Sequence, residues 1–98
     1  MRTVFVTRHP DAAEWAARNG FEGVEVVSHF EPTGDPIRVI GTLPVHLAAA
    51  VCAAGGDYWH LSLKIPPHMR GQELTAGDMD ACGAHVRRYH VQVQEDVQ

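Results

Sequence analysis

Residues 2–10 read RTVFVTRHP, and this stretch decides the fold of the chain. Its first five residues are rich in β-branched and aromatic side chains and predict a strand. The polar residues Thr7, Arg8 and His9 follow directly, and Pro10 suits the first position of a helix. Open α/β sheets bind their ligands where a polar turn joins the end of a strand to a helix. We therefore expect an α/β fold with a ligand site after the first strand.

A second polar cluster follows the next buried strand candidate, at residues 37–40. It comprises residues 41–44, which read GTLP, and the pair Thr42 and Pro44 predicts a helix for which Thr42 is the N-cap. Because right-handed crossovers place the ends of parallel strands at one edge of a sheet, we expect both clusters to face one crevice. A positive charge, an imidazole and free backbone amides suit an oxyanion. The two clusters together predict an anion site.

The rest of the chain alternates strands and helices. Residues 24–27 and 58–63 predict two more strands, and Thr75 with Asp78 forms a capping pattern that begins a third helix. The apolar stripe expected on that helix comprises Met79, Cys82, Val86 and Tyr89. Residues 89–94 alternate with period two, which leaves a terminal strand and an extended arm as alternatives.

These elements predict one domain over residues 1–98, built on a mostly parallel sheet of four to five strands with helices on its faces. A formal net charge of -4 argues against a surface that coats long nucleic acids, but it leaves room for a small anionic ligand. Cys52 and Cys82 fall on apolar helix faces, which favours core thiols in a reducing compartment. No run of residues is long and apolar enough for a membrane span, so we expect a cytoplasmic protein.

Four further residues are candidates for the site. His60 and Ser62 share one face of the fourth strand, where the alternative is a half-buried strand packed on a helix. Lys64 and Arg70 flank a proline pair, where a mobile loop could close over an anion or simply remain solvated. Thr42 likewise has the alternative role of a helix cap alone.

The seven histidines show no spacing typical of a metal site, and neither a glycine-rich nucleotide-binding motif nor a hydrolase serine turn is present. We expect no metal and no cofactor. Any chemistry must then come from Arg8, His9 and hydroxyl groups.

Four blocks of sequence carry a resemblance to a known family. The blocks, in order, are FVTRHP at residues 5–10, VIGTLPV at 39–45 with LAA at 47–49, YWHLSL at 58–63 and RGQELT at 70–75. Together they resemble a small stand-alone family of type III CRISPR ancillary proteins. The resemblance covers nearly the whole chain.

The resemblance implies a compact Rossmann-like fold akin to CARF domains, a homodimer, and a ring nuclease that cleaves cyclic tetra-adenylate to switch off the antiviral response. It implies metal-independent attack by the ribose 2′-hydroxyl, with Arg8 and His9 as catalytic residues. The ligand-binding positions that it implies are Thr7, Gly41, Thr42, Ser62, His60, Lys64 and Arg70.

Three other interpretations remain open. The same residues would serve a binding module that senses or sequesters the cyclic nucleotide without cutting it. The pair Arg8 and His9 is similar to the Arg-His-Gly opening of histidine phosphatases, although Pro10 replaces the glycine and the chain is short for that fold. A structural partner protein without any ligand is the last alternative.

Overall fold

The computed structural model describes the backbone of residues 1–98 and every side chain except that of Pro10. The described backbone forms five strands and three α-helices. In chain order these are β1 (Arg2–Val6), α1 (Pro10–Arg18), β2 (Glu25–Val27), β3 (Ile37–Gly41), α2 (Val45–Ala53), β4 (Asp57–Ser62), a short 3-10 helix (Pro67–Met69), α3 (Ala76–Ala81) and β5 (His85–Tyr89). No described helix has both the length and the apolar composition needed to span a lipid bilayer.

The strands form one sheet in the order β2-β1-β3-β4-β5. The first four strands of this order run parallel, and β5 is antiparallel to β4. This arrangement confirms the α/β fold with a mostly parallel sheet and is consistent with a Rossmann-like topology. The chain places β2 on one side of β1 and β3 on the other, so the topological switch point lies between β1 and β3.

The helices cover both faces of the sheet, and alternating strand residues supply two cores. Phe5 packs with Trp15 of α1 and Met79 of α3 on one face. The neighbouring residue Val4 packs with Val51 of α2 on the other face. This alternation is what the period-two geometry of a buried strand requires.

The predicted start of α3 is confirmed, because the Thr75 and Asp78 side chains each bond to the backbone N–H of the other residue. The predicted extent of the helix is wrong. It ends at Ala81, and Gly83 adopts the left-handed φ of 71° that a helix C-terminus favours. The amide of Ala84 bonds to the Met79 carbonyl at 3.0 Å and closes that end.

Val86 and Tyr89, which the apolar stripe placed on a helix, therefore lie in β5. Beyond β5, residues 90–98 form no regular element, so the extended arm is the alternative that the structure adopts. The arm runs beside α2, where the Val91 amide approaches Cys52 Sγ at 3.4 Å. Cys52 and Cys82 are both free thiols, and Cys82 is buried as predicted.

The predicted N-cap of α2 is also wrong. The helix begins at Val45, and the N-cap is Pro44, whose carbonyl accepts from the amides of Leu47 and Ala48 at 3.0 Å each. The physical reason lies one residue earlier, where the Leu43 amide donates to the hydroxyl group of Tyr58 at 2.9 Å. This bond holds the residues after β3 in an extended turn, and the helix starts only after it.

Candidate functional site

The carboxyl ends of β1, β3 and β4 lie level with one another. Phe5 pairs with Ile40, and Gly41 pairs with His60. A Cβ atom added at Gly41 would lie 3.0 Å from the carbonyl oxygen of Val6, so β1 and β3 approach each other closely at their ends. The turn after β1 and the turn after β3 consequently emerge side by side at the switch point, as the sequence predicts.

The turn after β1 is shaped by hydrogen bonds. The His9 amide donates to Thr7 Oγ1 at 3.1 Å, and the Thr7 amide donates to the Val27 carbonyl at 2.8 Å. Thr7 therefore fixes the turn. Arg8 and His9 are exposed at its tip, and within the described residues the Arg8 guanidinium forms no ion pair. An unpaired arginine beside an imidazole leaves both groups available to an anion.

One cavity, which we call the His9 cavity, brings the two turns together. Its volume is about 230 Å³. His9 contributes from the first turn and Thr42 from the second, and the remaining lining residues are Ala12, Leu61, Leu63, Ile65, Leu74 and Met79. The cavity is apolar inside and carries its polar groups on the two turns.

A second cavity, which we call the His60 cavity, lies on the opposite face of the sheet, beside α2. Its volume is about 400 Å³, and its lining residues are Leu43, Val45, Ala48, Tyr58, His60, Ser62, Tyr89 and Val91. Successive side chains of β4 alternate between the two faces. For that reason Leu61 lines the His9 cavity, whereas His60 and Ser62 line the His60 cavity. The structure therefore does not bring His60 and Ser62 into one cavity with His9.

The hydroxyl group of Tyr58 joins the His60 cavity to the turn after β3. Its oxygen lies 2.7 Å from His60 Nδ1, 2.9 Å from the Leu43 amide and 3.2 Å from the Gly41 carbonyl oxygen. Burial raises the pKa of Tyr58, and the hydrogen bond from the Leu43 backbone opposes this effect. Sequence reasoning missed Tyr58. The signal was present, because Tyr58 shares the β4 face of His60 and Ser62.

Lys64 and Arg70 are next to Ile65, one along the chain and the other through a hydrogen bond, but they are not lining residues of either cavity. The Lys64 amide donates to the Cys82 carbonyl at 2.9 Å, and Arg70 Nε donates to the Ile65 carbonyl at 3.4 Å. Both side chains are exposed, and among the described residues neither lines the His9 cavity or the His60 cavity.

A third cavity of about 580 Å³ lies near the start of β1 and β3, away from these turns. Both of its arginines already form ion pairs, although Arg38 Nε is buried without a hydrogen-bond partner. Arg2 bonds to Glu25 at 2.7 Å, and Arg38 bonds to Asp57 at 3.3 Å while its guanidinium lies 4.6 Å above the Trp59 ring. Because paired charges offer less to an anion than the unpaired Arg8, the turns at the switch point are the better candidate site.

Comparison with known proteins identifies a family for the chain. The profile of the family described as "Putative CRISPR-associated protein (Cas_VVA1548)" matches residues 4–92. Searches of the curated proteins and of the solved structures found no match. The matched range runs from β1 through β5 and includes both turns and every residue that lines the His9 and His60 cavities. The chain therefore belongs to this family of CRISPR-associated proteins.

Proposed function

We propose that the protein is a ring nuclease of type III CRISPR immunity that cleaves cyclic tetra-adenylate and so ends the antiviral signal. Membership of a CRISPR-associated family supports the biological setting. The observation that carries the proposal is the position of Arg8 and His9. Both are exposed after β1 at the switch point, beside the turn that holds Thr42.

The proposed fold relationship is with the CARF domains, and the proposed assembly is a homodimer. A ring of four nucleotides is large compared with the His9 cavity of about 230 Å³. A two-fold axis near the carboxyl edge of the sheet would duplicate Arg8 and His9 around a symmetric ligand. Each protomer would then meet half of the ring.

The proposed reaction is an internal transfer. The ribose 2′-oxygen attacks the adjacent phosphorus in line, the new bond to the 2′-oxygen forms, and the bond from phosphorus to the 5′-oxygen breaks. A base removes the proton of the 2′-hydroxyl group, and an acid protonates the departing 5′-oxygen. The products are a 2′,3′-cyclic phosphate and a free 5′-hydroxyl group. Positioning supplies much of the acceleration in such reactions.

Individual residues have distinct roles in this proposal. His9 is the general acid or the general base of this reaction, because an imidazole can serve either role near neutral pH. Arg8 and the amides around Gly41 and Thr42 stabilise the charge on the non-bridging oxygens. One such donor contributes about 3 kcal/mol to the transition state. The remaining ligand-binding positions in the proposal are Thr7, which shapes the turn, His60 and Ser62 in the His60 cavity, and Lys64 and Arg70 as loop residues.

The test is to incubate the protein with cyclic tetra-adenylate in excess EDTA and to follow the products by liquid chromatography and mass spectrometry over many turnovers. Linear products that end in a cyclic phosphate are expected. Cyclic tri- and hexa-adenylate, offered in parallel, define the preferred ring size. Arg18→Ala is the matched control for Arg8→Ala, because Arg18 lies at the other end of α1 and pairs with Asp80.

Two results would overturn the proposal. Intact ring that co-elutes with the protein and is recovered in stoichiometric amount after denaturation would make the protein a sensor or a sink. Intact ring that does not bind would mean that cyclic tetra-adenylate is not a ligand of this protein. Hydrolysis of a generic phosphomonoester would instead support the phosphatase interpretation of Arg8 and His9.

A further inference from the structure

The hydroxyl group of Tyr58 is the polar group that the proposed reaction leaves unused. Tyr58 is only 3% exposed, yet three polar atoms surround its oxygen. A phenol donates one hydrogen bond and accepts two. The Leu43 amide occupies one acceptor position. The single phenolic proton must then go either to the Gly41 carbonyl or to His60 Nδ1.

The distances favour His60 Nδ1 as the acceptor of this proton. The separation of 2.7 Å between the hydroxyl oxygen and Nδ1 is typical of a strong hydrogen bond, whereas 3.2 Å to the Gly41 carbonyl is long for a hydroxyl donor. If Tyr58 donates to Nδ1, a neutral His60 carries its own proton on Nε2. Nε2 lies on the side of the ring away from Tyr58, and His60 lines the His60 cavity.

We propose that Tyr58 is a positioning residue for His60. It fixes His60 as an Nε2–H donor that faces the His60 cavity, where the donor binds an oxygen of a phosphodiester ligand. Tyr58 also holds the turn after β3. The identity of the ligand rests on the proposed function. The tautomer of His60 and the bond to the turn rest on the geometry of Tyr58 alone.

A phenol suits this position better than a fixed acceptor does. When His60 takes up a second proton, Nδ1–H can donate to the phenol oxygen, and the phenolic proton can turn to the Gly41 carbonyl at 3.2 Å. All three groups then remain paired without movement of the backbone. A backbone carbonyl in the place of the phenol could pair only with a protonated Nδ1.

The first test uses no ligand. In protein labelled with ¹⁵N-histidine, the His60 ring signals are those that vanish in His60→Gln. We expect neutral His60 to carry its proton on Nε2 in the wild type, and to populate both tautomers in Tyr58→Phe. In a second sample, labelled with ¹⁵N-leucine, we expect the amide resonance of Leu43 to move in the same variant. Tyr89→Phe is the matched control, because the Tyr89 ring also contacts His60 but its hydroxyl group bonds to no other described residue.

Two outcomes of this test would overturn the inference. One is a neutral His60 that is protonated on Nδ1 in the wild type, because Tyr58 would then be the acceptor. The other is a Tyr58→Phe variant in which the His60 tautomer and the Leu43 amide are both unchanged. Neither outcome depends on whether the protein cleaves any ring.

The second test asks whether Tyr58 acts through His60. With cyclic tetra-adenylate, Tyr58→Phe should lower kcat roughly tenfold and leave KM unchanged. This is less than the loss of roughly 10²-fold expected when a hydrogen-bond donor to the transition state is removed. The double variant Tyr58→Phe with His60→Gln should be no slower than His60→Gln alone. If the losses in kcat of the two single variants multiplied in the double variant, Tyr58 and His60 would act independently, and the proposed coupling between them would be overturned. If the wild type cleaves nothing, the proposed function fails, and the tautomer measurement still decides this inference.

Discussion

A methyl group on the Cα atom of Gly41 would lie 3.0 Å from the carbonyl oxygen of Val6. This close approach joins the ends of β1 and β3 at the point where the two candidate turns emerge. A Gly41→Ala variant must push the strands apart by a few tenths of an ångström. We expect a loss of about 1–3 kcal/mol in the free energy of unfolding, measured with urea, and weaker ligand binding.

Gly77→Ala is the matched control for that experiment. Gly77 lies in the first turn of α3, where a Cβ atom would meet Thr75 Oγ1 at an ordinary 3.7 Å. Because alanine favours a helix over glycine, this variant should be as stable as the wild type or more stable, by up to about 1 kcal/mol. A Gly41→Ala variant that matched Gly77→Ala in stability and affinity would contradict the close contact.

Arg8 and His9 should separate binding from chemistry. Arg8→Ala removes the unpaired charge and should weaken the binding of cyclic tetra-adenylate by about 1.5–3 kcal/mol, with turnover lost in parallel. His9→Ala should retain binding and lose turnover by roughly 10²-fold or more. Isothermal titration with each variant, and single-turnover assays at saturating ligand, measure the two effects. Equal losses of affinity in both variants would contradict this division of roles.

The indole nitrogen of Trp15 donates to Asp80 at 2.9 Å, and this bond ties α1 to α3 above the core. Trp15 is 2% exposed, so Asp80→Ala leaves a buried donor without an acceptor. We expect a loss of about 1–3 kcal/mol in the free energy of unfolding. Arg18 is exposed and pairs with the same carboxylate at 3.4 Å. Arg18→Ala should therefore lower the free energy of unfolding by less than about 1 kcal/mol. The two variants are compared by thermal and urea unfolding. If Asp80→Ala and Arg18→Ala lost equal stability, the ion pair and not the indole hydrogen bond would account for the effect of Asp80.

The sequence was informative wherever a local rule determines the structure. The β-branched and aromatic side chains of residues 2–6 predicted β1, and the spacing of Thr75 and Asp78 located the start of α3. The end of α3 was predicted wrongly because Val86 and Tyr89 follow Cys82 at helical spacing. The pairing of β5 with β4 is a long-range contact that no local spacing reports.

The candidate site likewise combines features that the local sequence predicts with features that depend on long-range contacts. Parallel strand order suffices to bring the turns of His9 and Thr42 to one edge. The face on which each side chain lies is also local, and strict alternation along β4 separates His60 from Leu61. The contact between Tyr58 and the Leu43 amide depends on the spacing of α2, β3 and β4 in three dimensions. That contact, which displaces the start of α2 to Val45, could not be read from composition or periodicity.

Tyr58 also predicts how stability changes at alkaline pH. Burial raises the pKa of its phenol, against the smaller opposing effect of the Leu43 hydrogen bond. In the unfolded chain the phenol titrates near its usual value of about 10. Between that value and the higher folded pKa, the unfolded state releases a proton that the folded state keeps. The stabilising effect is therefore complete below about pH 10 and is lost as the pH rises through the folded pKa.

The comparison of wild type with Tyr58→Phe isolates this contribution. At pH 7 the variant should be less stable by about 1 kcal/mol, because the hydrogen bonds to Leu43 and His60 are lost. As the pH rises past about 10, the wild type should lose stability faster than the variant, so the gap between their free energies of unfolding should narrow. Urea unfolding at three pH values from neutral to alkaline measures the gap. A gap that stays constant would mean that the Tyr58 phenol ionises equally well in the folded and unfolded chains, and that its burial does not hold the proton in place.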